Sequence, residues 1–301
     1  MFESVIEPSP LVSVIMNCYN GEKYLREAID SVLAQTYTNW EIIFWDNQST
    51  DSSAEIVNSF NDERIKYYYS ENHTILYEAR GYAYAKTKGE LIAFLDDDDT
   101  WSPEKLEKQV GLFENKEIGF VCSNYYNWDS EKNNRVLAFS DTLPGGYVLD
   151  ELLNQYFIGM LTLVLRRESF ESLELQFDPR FHIIGDFDLV IRMASKWKLG
   201  VVQSPLACYR IHPENESRKQ IHCIVRETLE WYREYEKDQI IGASKYLKKV
   251  KLRIAYVKAI ALILDNQKIS ALKCLGTMNF ADSIRTIIAL IIPLRIIKIL
   301  R

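Results

Sequence analysis

The sequence predicts an α/β fold: a mostly parallel sheet flanked by helices, followed by a C-terminal helical extension. Three observations carry that expectation. Apolar runs of strand length alternate with stretches of helical periodicity from Leu11 to Leu95, the pattern of a sheet covered on both faces. Each of three strands ends in a polar cluster: Asn17-Cys18-Tyr19-Asn20, Asp46-Asn47-Gln48-Ser49-Thr50-Asp51 and Asp96-Asp97-Asp98-Asp99. From about Ser217 the strand pattern stops and long, charge-rich helical segments take over, which sets a domain 1–216 against a helical region 217–301.

In chain order, Leu11 to Met16 reads as a buried strand, and Tyr24, Leu25, Ala28, Ile29, Val32 and Leu33 fall on one face of the helix after it. Trp40 to Trp45 is the second strand, with a helix carrying Ile56, Val57 and Phe60 behind it. Ile65 to Tyr69 is the third, and a helix from about Leu76 to Thr87 leads through Gly89 into the fourth, which begins at Leu91. Pro103 takes the first position of another helix. Ile118 to Tyr125 is strand-like, Pro144-Gly145-Gly146 is the expected turn of a loop or hairpin, and Leu161 to Leu165 is a strand. Gly185-Asp186-Phe187-Asp188 opens a helix, and two short strands, Leu199 to Gln203 and Ala207 to Tyr209, close the domain.

With 301 residues the chain has room for one large α/β domain and an appendage. Its 47% hydrophobic and 26% charged content is that of a globular protein. A net charge of −6 argues against nucleic acid as a main partner. The five cysteines are scattered, without metal-binding spacing, as in a reducing compartment. Met1 to Pro10 lacks the apolar core of a signal peptide, and no run reaches the ~18 apolar residues of a spanning helix. A cytoplasmic protein is expected. Residues 284–301 mix isoleucines and leucines with Arg285, Arg295, Lys298 and Arg301, which fits a helix lying in an anionic membrane surface or packed on its own domain or a second subunit of a homo-oligomer.

The most informative stretch is Leu91 to Trp101, an apolar strand that runs into four consecutive aspartates. An open α/β sheet presents its ligand site at the carboxyl ends of its strands, so Tyr19, Asp46 and Asp96 should gather along one rim. If the chain stays extended, Asp96 and Asp98 point one way and Asp97 and Asp99 the other. Adjacent carboxylates raise one another's pKa unless a cation pairs with them, and hard oxygen ligands suit Mg²⁺ or Mn²⁺. Nothing in the chain resembles a Gly-rich phosphate cradle.

With these motifs in place, the chain from about Pro10 to Ser217 resembles the family-2 glycosyltransferases of the GT-A, Rossmann-like fold. The likeness rests on Leu11–Asn20, Ser31-Val32-Leu33-Ala34-Gln35-Thr36-Tyr37, Trp40–Asp51, Ala79-Arg80-Gly81, the Asp96–Asp98 acids, Gly185–Leu189 and Tyr209-Arg210-Ile211-His212. Gly81 stands where the family usually has Asn, and Gly185 where it commonly has Glu. The resemblance implies transfer of a sugar, with inversion, from a nucleoside-diphosphate sugar (a UDP-sugar first) to a glycan or lipid-linked acceptor of surface polysaccharide synthesis. It assigns Cys18, Tyr19, Asn20, Asp46, Arg80, Asp96 and Asp97 to the nucleotide sugar. Asp98 and His212 fall to a Mn²⁺ or Mg²⁺ ion, and Asp186 to the catalytic base. Two other readings stand beside it. Phe94–Thr100 also satisfies the Asp-x-Asp-x-Thr pattern of haloacid-dehalogenase-like phosphohydrolases, with Asp96 as nucleophile and Asp98 as acid/base. Gly81 and Gly185 fit a non-catalytic sugar-nucleotide-binding subunit.

Overall fold

The computed structural model describes residues 9–216 and 220–291. The leader up to Pro8, Ser217–Lys219 and residues 292–301 of the expected C-terminal amphipathic segment lie outside the described residues. The chain divides into two compact units. The first comprises Met1–Val148, Phe157–Pro179 and Arg192–Ile211, and the second Leu149–Tyr156, Arg180–Ile191 and His212–Arg301.

The first unit is built on one sheet. Its strands are β1 (Val12–Cys18), β2 (Trp40–Asp46), β3 (Ile65–Tyr69), β4 (Leu91–Phe94), β5 (Thr100–Trp101), β6 (Ile118–Asp129), β7 (Asn134–Leu137), β8 (Val164–Arg166) and β9 (Lys198–Ile211). They lie in the order β3-β2-β1-β4-β8-β6-β9-β5, with β7 added beside β6. The first four are parallel; β8 runs antiparallel to both β4 and β6. Helices α1 (Leu25–Leu33), α2 (Ser53–Asn58) and α3 (Leu76–Tyr84) are the crossovers, α4 (Lys105–Val110) follows β5, and α5 (Leu149–Asn154) and α6 (Arg167–Glu171) come later in the chain.

Every residue of β1, β2 and β4 is buried, as expected of parallel strands covered on both faces. Val12, Val14, Met16 and Cys18 of β1 share a core with Ile42 and Phe44 of β2 and with Leu25, Ala28, Ile29 and Val32 of α1. From β1 the chain steps to β2 and β3 on one side, then returns to place β4 on the other. That reversal opens a crevice at the carboxyl ends of β1 and β4.

Three expectations shift in detail. The hairpin turn is made by the polar run between Asp129 and Asn134, where Asn133 takes a left-handed φ of 48°, and not by Pro144-Gly145-Gly146. Gly146 instead bridges to Leu199. The two short strands expected after Leu199 are one strand, β9, because register shifts against β6 absorb the polar Gln203-Ser204 break. Pro103 precedes its helix by two residues, and its carbonyl accepts the Thr36 N–H at 2.9 Å.

The second unit is helical. It holds α5, the start of α7 (Gly185–Ala194), α8 (Ile221–Tyr235), α9 (Leu247–Leu264), α10 (Lys268–Lys273) and α11 (Phe280–Ile291). None of the described helices is long and apolar enough to cross a membrane.

Candidate active site

At the switch point, β4 ends at Phe94 and the chain turns, with the Asp99 N–H reaching the Asp96 carbonyl at 3.3 Å. The alternation expected of an extended chain therefore fails for the four acids. Leaving the sheet sends the carboxylates of Asp96, Asp97 and Asp99 to different neighbours. Asp96 accepts from Arg80 Nη2 at 2.7 Å. Arg80 is 2% exposed on α3 and lies 4.7 Å from the centre of the Tyr77 ring. Asp97 lies against the Cys18 thiol and the Gly21 turn after β1. A Cβ at Gly21 would stand 2.1 Å from Asp97 Oδ2, so only glycine permits this approach. Asp99 is buried and accepts the Arg210 N–H at 2.8 Å.

Burial, then repulsion from Asp98, pushes the Asp97 carboxyl up to about 8 and the Asp99 carboxyl well above the usual carboxylate range. The turn can therefore ionise fully only where further positive charge is supplied to it. Burial and the nearby Asp97 likewise keep the Cys18 thiol protonated.

Around the turn, β1 and β2 bring their carboxyl ends into register at Cys18 and Asp46. Asp46 is fully buried, with one oxygen accepting the Ser49 N–H and the other the Tyr67 hydroxyl, each at 2.7 Å. Asn20 adopts a φ of 58° and its side-chain oxygen accepts the Thr50 N–H at 2.8 Å. Tyr19 is half exposed, its ring 4.3 Å from that of His73. The first unit therefore brings Cys18, Tyr19, Asn20, Asp46, Arg80 and the four acids to one rim, of which the strand pattern had predicted Tyr19, Asp46 and Asp96.

Two residues of this rim stand in the motifs quoted from the sequence but were given no role there. Arg210 is 2% exposed between the rings of Tyr24 and Trp128. It donates from Nε to the Asp98 carbonyl at 2.8 Å and from Nη2 to Glu27 at 2.6 Å, so it fixes the backbone of the acid turn. Asn17, beside Cys18, is 7% exposed, and its amide finds no hydrogen-bond partner among the described residues. Such a group is costly to bury unless a ligand completes it.

Asp186 and His212 belong to the second unit. Asp186 sits in the first turn of α7, where its Oδ1 accepts the Phe187 N–H at 2.7 Å. The chain entering this helix is clamped by Glu227 of α8, which is 1% exposed. Glu227 accepts the backbone N–H groups of His182, Ile183 and Ile184 at 2.9, 2.9 and 3.2 Å. Burial alone would raise its carboxyl; the bonds from Cys223 and these three amides outweigh that and hold it below the usual range. Asp188, also buried, accepts from Trp231 Nε1 at 3.1 Å and from the Tyr235 hydroxyl at 3.3 Å. Sequence pattern had offered no hint of Glu227, because a glutamate on a charge-rich helix looks solvated. The His212 ring Nε2 faces the Asn215 side-chain amide at 3.2 Å. Beside α7 a mostly apolar cavity of about 160 Å³ is lined by Ile184, Phe187, Val225, Val250, Ile254 and Arg253, among others.

Among the described residues no three His, Cys, Asp or Glu side chains close on a common point. The hard oxygen donors of the acid turn, which resist full ionisation without added positive charge, fit a divalent cation of the kind held by one or two carboxylates and completed by substrate phosphates.

Comparison with known proteins agrees with this geometry. Residues 13–184 match the model of glycosyl transferase family 2. The chain is 38% identical over 157 residues to the UDP-Glc:alpha-D-GlcNAc-diphosphoundecaprenol beta-1,3-glucosyltransferase WfgD of Escherichia coli, covering 52% of this chain and 60% of that one. Its fold resembles that of S. aureus TarS 1–349 in complex with UDP-GlcNAc (TM-score 0.68, 15% identity, 90% of this chain and 82% of that chain). It also resembles the mannosyltransferase PcManGT of Pyrobaculum calidifontis in complex with GDP-Man and Mn²⁺ (TM-score 0.62, 15% identity, 92% and 78%). The haloacid-dehalogenase-like alternative finds no support: the acid motif follows the fourth strand rather than the first, and the family model that matches is that of glycosyl transferase family 2. The fold is GT-A, and the chain belongs to glycosyl transferase family 2.

Proposed function

We propose that this protein is an inverting glycosyltransferase that moves a sugar from a nucleoside-diphosphate sugar, a UDP-sugar first, to a hydroxyl of a lipid-linked glycan. It would serve surface polysaccharide synthesis at the cytoplasmic face of the membrane. The observation that carries the reading is the four-carboxylate turn at the β1/β4 switch point, tied to the buried Arg80 by Asp96. The chemistry of the WfgD relative supports the choice of donor and acceptor class.

In this reading Cys18, Tyr19 and Asn20 form the edge on which the nucleotide lies, with Asp46 toward the base. Arg80, Asp96 and Asp97 face the ribose and diphosphate. The unpartnered amide of Asn17 gives the same edge a further donor and acceptor. Asp98, with His212, would hold Mn²⁺ or Mg²⁺, which when bound neutralises charge developing on the leaving diphosphate. Asp186 takes the proton of the acceptor hydroxyl, whose oxygen then attacks the anomeric carbon from the face opposite the leaving group. The carbon–oxygen bond to the diphosphate breaks and its electron pair leaves with the phosphate, inverting the centre. The Glu227 clamp keeps the start of α7 in place for that step.

A panel of nucleotide sugars, each with and without Mn²⁺, tests the donor side by thermal shift, since a bound donor raises stability by mass action. A UDP-sugar should raise Tm most, and more with the metal. Transfer to a GlcNAc-diphosphate-lipid acceptor then tests the reaction. Donor-induced stabilisation with no transfer to any lipid-linked acceptor would instead favour a non-catalytic binding subunit.

A further inference from the structure

Helix α11 is built inside out. Phe280, Ile284, Ile287 and Ile288 are 83%, 42%, 44% and 49% exposed. Their spacing of four, three and one residues puts them on one helical face. The residues turned inward include the polar ones: Asp282 is 8% exposed and Thr286 fully buried. Both are satisfied there. Thr286 Oγ1 donates to the Asp282 carbonyl at 2.8 Å, and Asp282 Oδ2 accepts from Asn279 Nδ2 at 2.7 Å. The inner face also packs Ala289 and Leu290 against Ala259, Ile263 and Ala271. A helix packed only on its own domain shows the reverse arrangement, so the outward isoleucines are not left over from core packing.

Helix α10 extends the surface. Ile269 is 76% and Leu272 48% exposed, and Lys268 Nζ donates to the Leu290 carbonyl at 3.1 Å, which makes the start of α10 a neighbour of the end of α11. The charges here have one sign. From Lys268 to Arg301 the sequence has six basic residues (Lys268, Lys273, Arg285 and, outside the described residues, Arg295, Lys298 and Arg301) and one acid, the buried Asp282, which pairs with Arg285 at 3.3 Å.

We propose that the exposed face of α10 and α11 docks on an anionic lipid bilayer. Phe280, Ile284, Ile287 and Ile288 would enter the headgroup–acyl boundary, and the lysines and arginines would meet lipid phosphates. Charge selects this occupant over a second copy of the chain: a two-fold contact would bring the remaining cations of the segment together, and its one acid is already paired with Arg285. Docking by this face would hold the enzyme at the surface where a lipid-linked acceptor resides. That use rests on the proposed function; the docking does not.

Flotation of the full chain with vesicles of phosphatidylglycerol or of phosphatidylcholine tests it. Binding should be at least tenfold tighter to the anionic vesicles and should weaken as salt rises. The double variant Phe280→Glu/Ile287→Glu should lose about a hundredfold in affinity, because two buried apolar side chains are removed from the contact. Its donor-induced thermal shift should equal that of the wild type, which shows the fold intact. Ile284→Lys/Ile288→Lys, which adds charge while removing apolar surface, should also bind more weakly. Equal binding of wild type and Phe280→Glu/Ile287→Glu would overturn the proposal. So would a wild-type dimer, seen by light scattering, that this variant dissociates without change in vesicle binding. Vesicle binding by a protein that transfers no sugar would sink the proposed function alone; transfer to a water-soluble, short-chain acceptor without vesicle binding would sink the docking alone.

Discussion

Asp97 and Glu227 are both carboxylates withdrawn from water, yet their acidities move in opposite directions. At Asp97 the nearest charges are other carboxylates, and repulsion adds to burial, so the group holds its proton up to about pH 8. At Glu227 the neighbours are three backbone amides and a thiol, and their bonds overcome the same cost of burial. The difference separates two uses of an acid. Surrounded by donors, it is finished structure; surrounded by its own kind, it is left short of positive charge until a ligand arrives.

The largest test of that contrast is at the proposed chemistry. Asp186→Asn should lower kcat by about 10²–10⁴-fold, the usual worth of a general base, with donor affinity unchanged by titration calorimetry. Near-normal transfer by this variant would remove Asp186 from the mechanism. Next comes the clamp. Glu227→Ala leaves three backbone amides, one buried and two part-buried, without their acceptor and should cost about 2–3 kcal/mol in urea unfolding, at about 1–3 kcal/mol for a fully buried orphaned group and less for the others. The pH dependence has a definite sign. The folded carboxyl lies below its unfolded value, so its stabilisation is present above ~pH 4.3 and is lost as pH falls through the folded pKa. Glu227→Gln should remove that part of the acid slope, and an unchanged slope would mean that the clamp carries no net charge–amide stabilisation.

The same contrast explains what could be read in advance. The order of elements, the rim of strand ends and the acid cluster were legible because alternation and periodicity are local, and four aspartates after an apolar run are conspicuous in any fold. The fate of each acid was not, since it depends on the turn after Phe94 and on Arg210, more than a hundred residues away. Glu227 and the orphan amide of Asn17 were hidden for the same reason: whether a polar side chain has partners is decided by tertiary contacts. The inverted face of α11 was half legible, its apolar and basic composition plain, its buried Thr286 and Asp282 not.

A third buried ionisable group sharpens the comparison from the cationic side. Lys105 is fully buried, 4.0 Å from the centre of the Trp101 ring, and its ammonium nitrogen has no hydrogen-bond partner among the described residues. Burial pushes its pKa well below the ordinary lysine value. Below ~pH 10.4 the unfolded chain takes up a proton there that the folded chain resists, so the penalty on the fold grows as pH falls. Lys105→Met should therefore stabilise the protein by about 1–3 kcal/mol at neutral pH, and its advantage should shrink toward pH 10. A stabilisation independent of pH would show that volume, not charge, decides at this site.

The smallest expected effect lies next to the Arg80–Asp96 pair, at Gly81, where a Cβ would meet nothing within 4 Å. The glycine is not forced by packing, and it lies inside α3, where any other non-proline residue favours the helix. Gly81→Asn, which restores the residue usual in the family, should raise stability by only about 0.3 kcal/mol and leave donor affinity within about twofold. A tenfold tighter donor complex would instead mean that the side chain reaches the nucleotide. It would place the edge of the donor pocket one residue beyond Arg80, in the open space that the carboxylate turn does not fill.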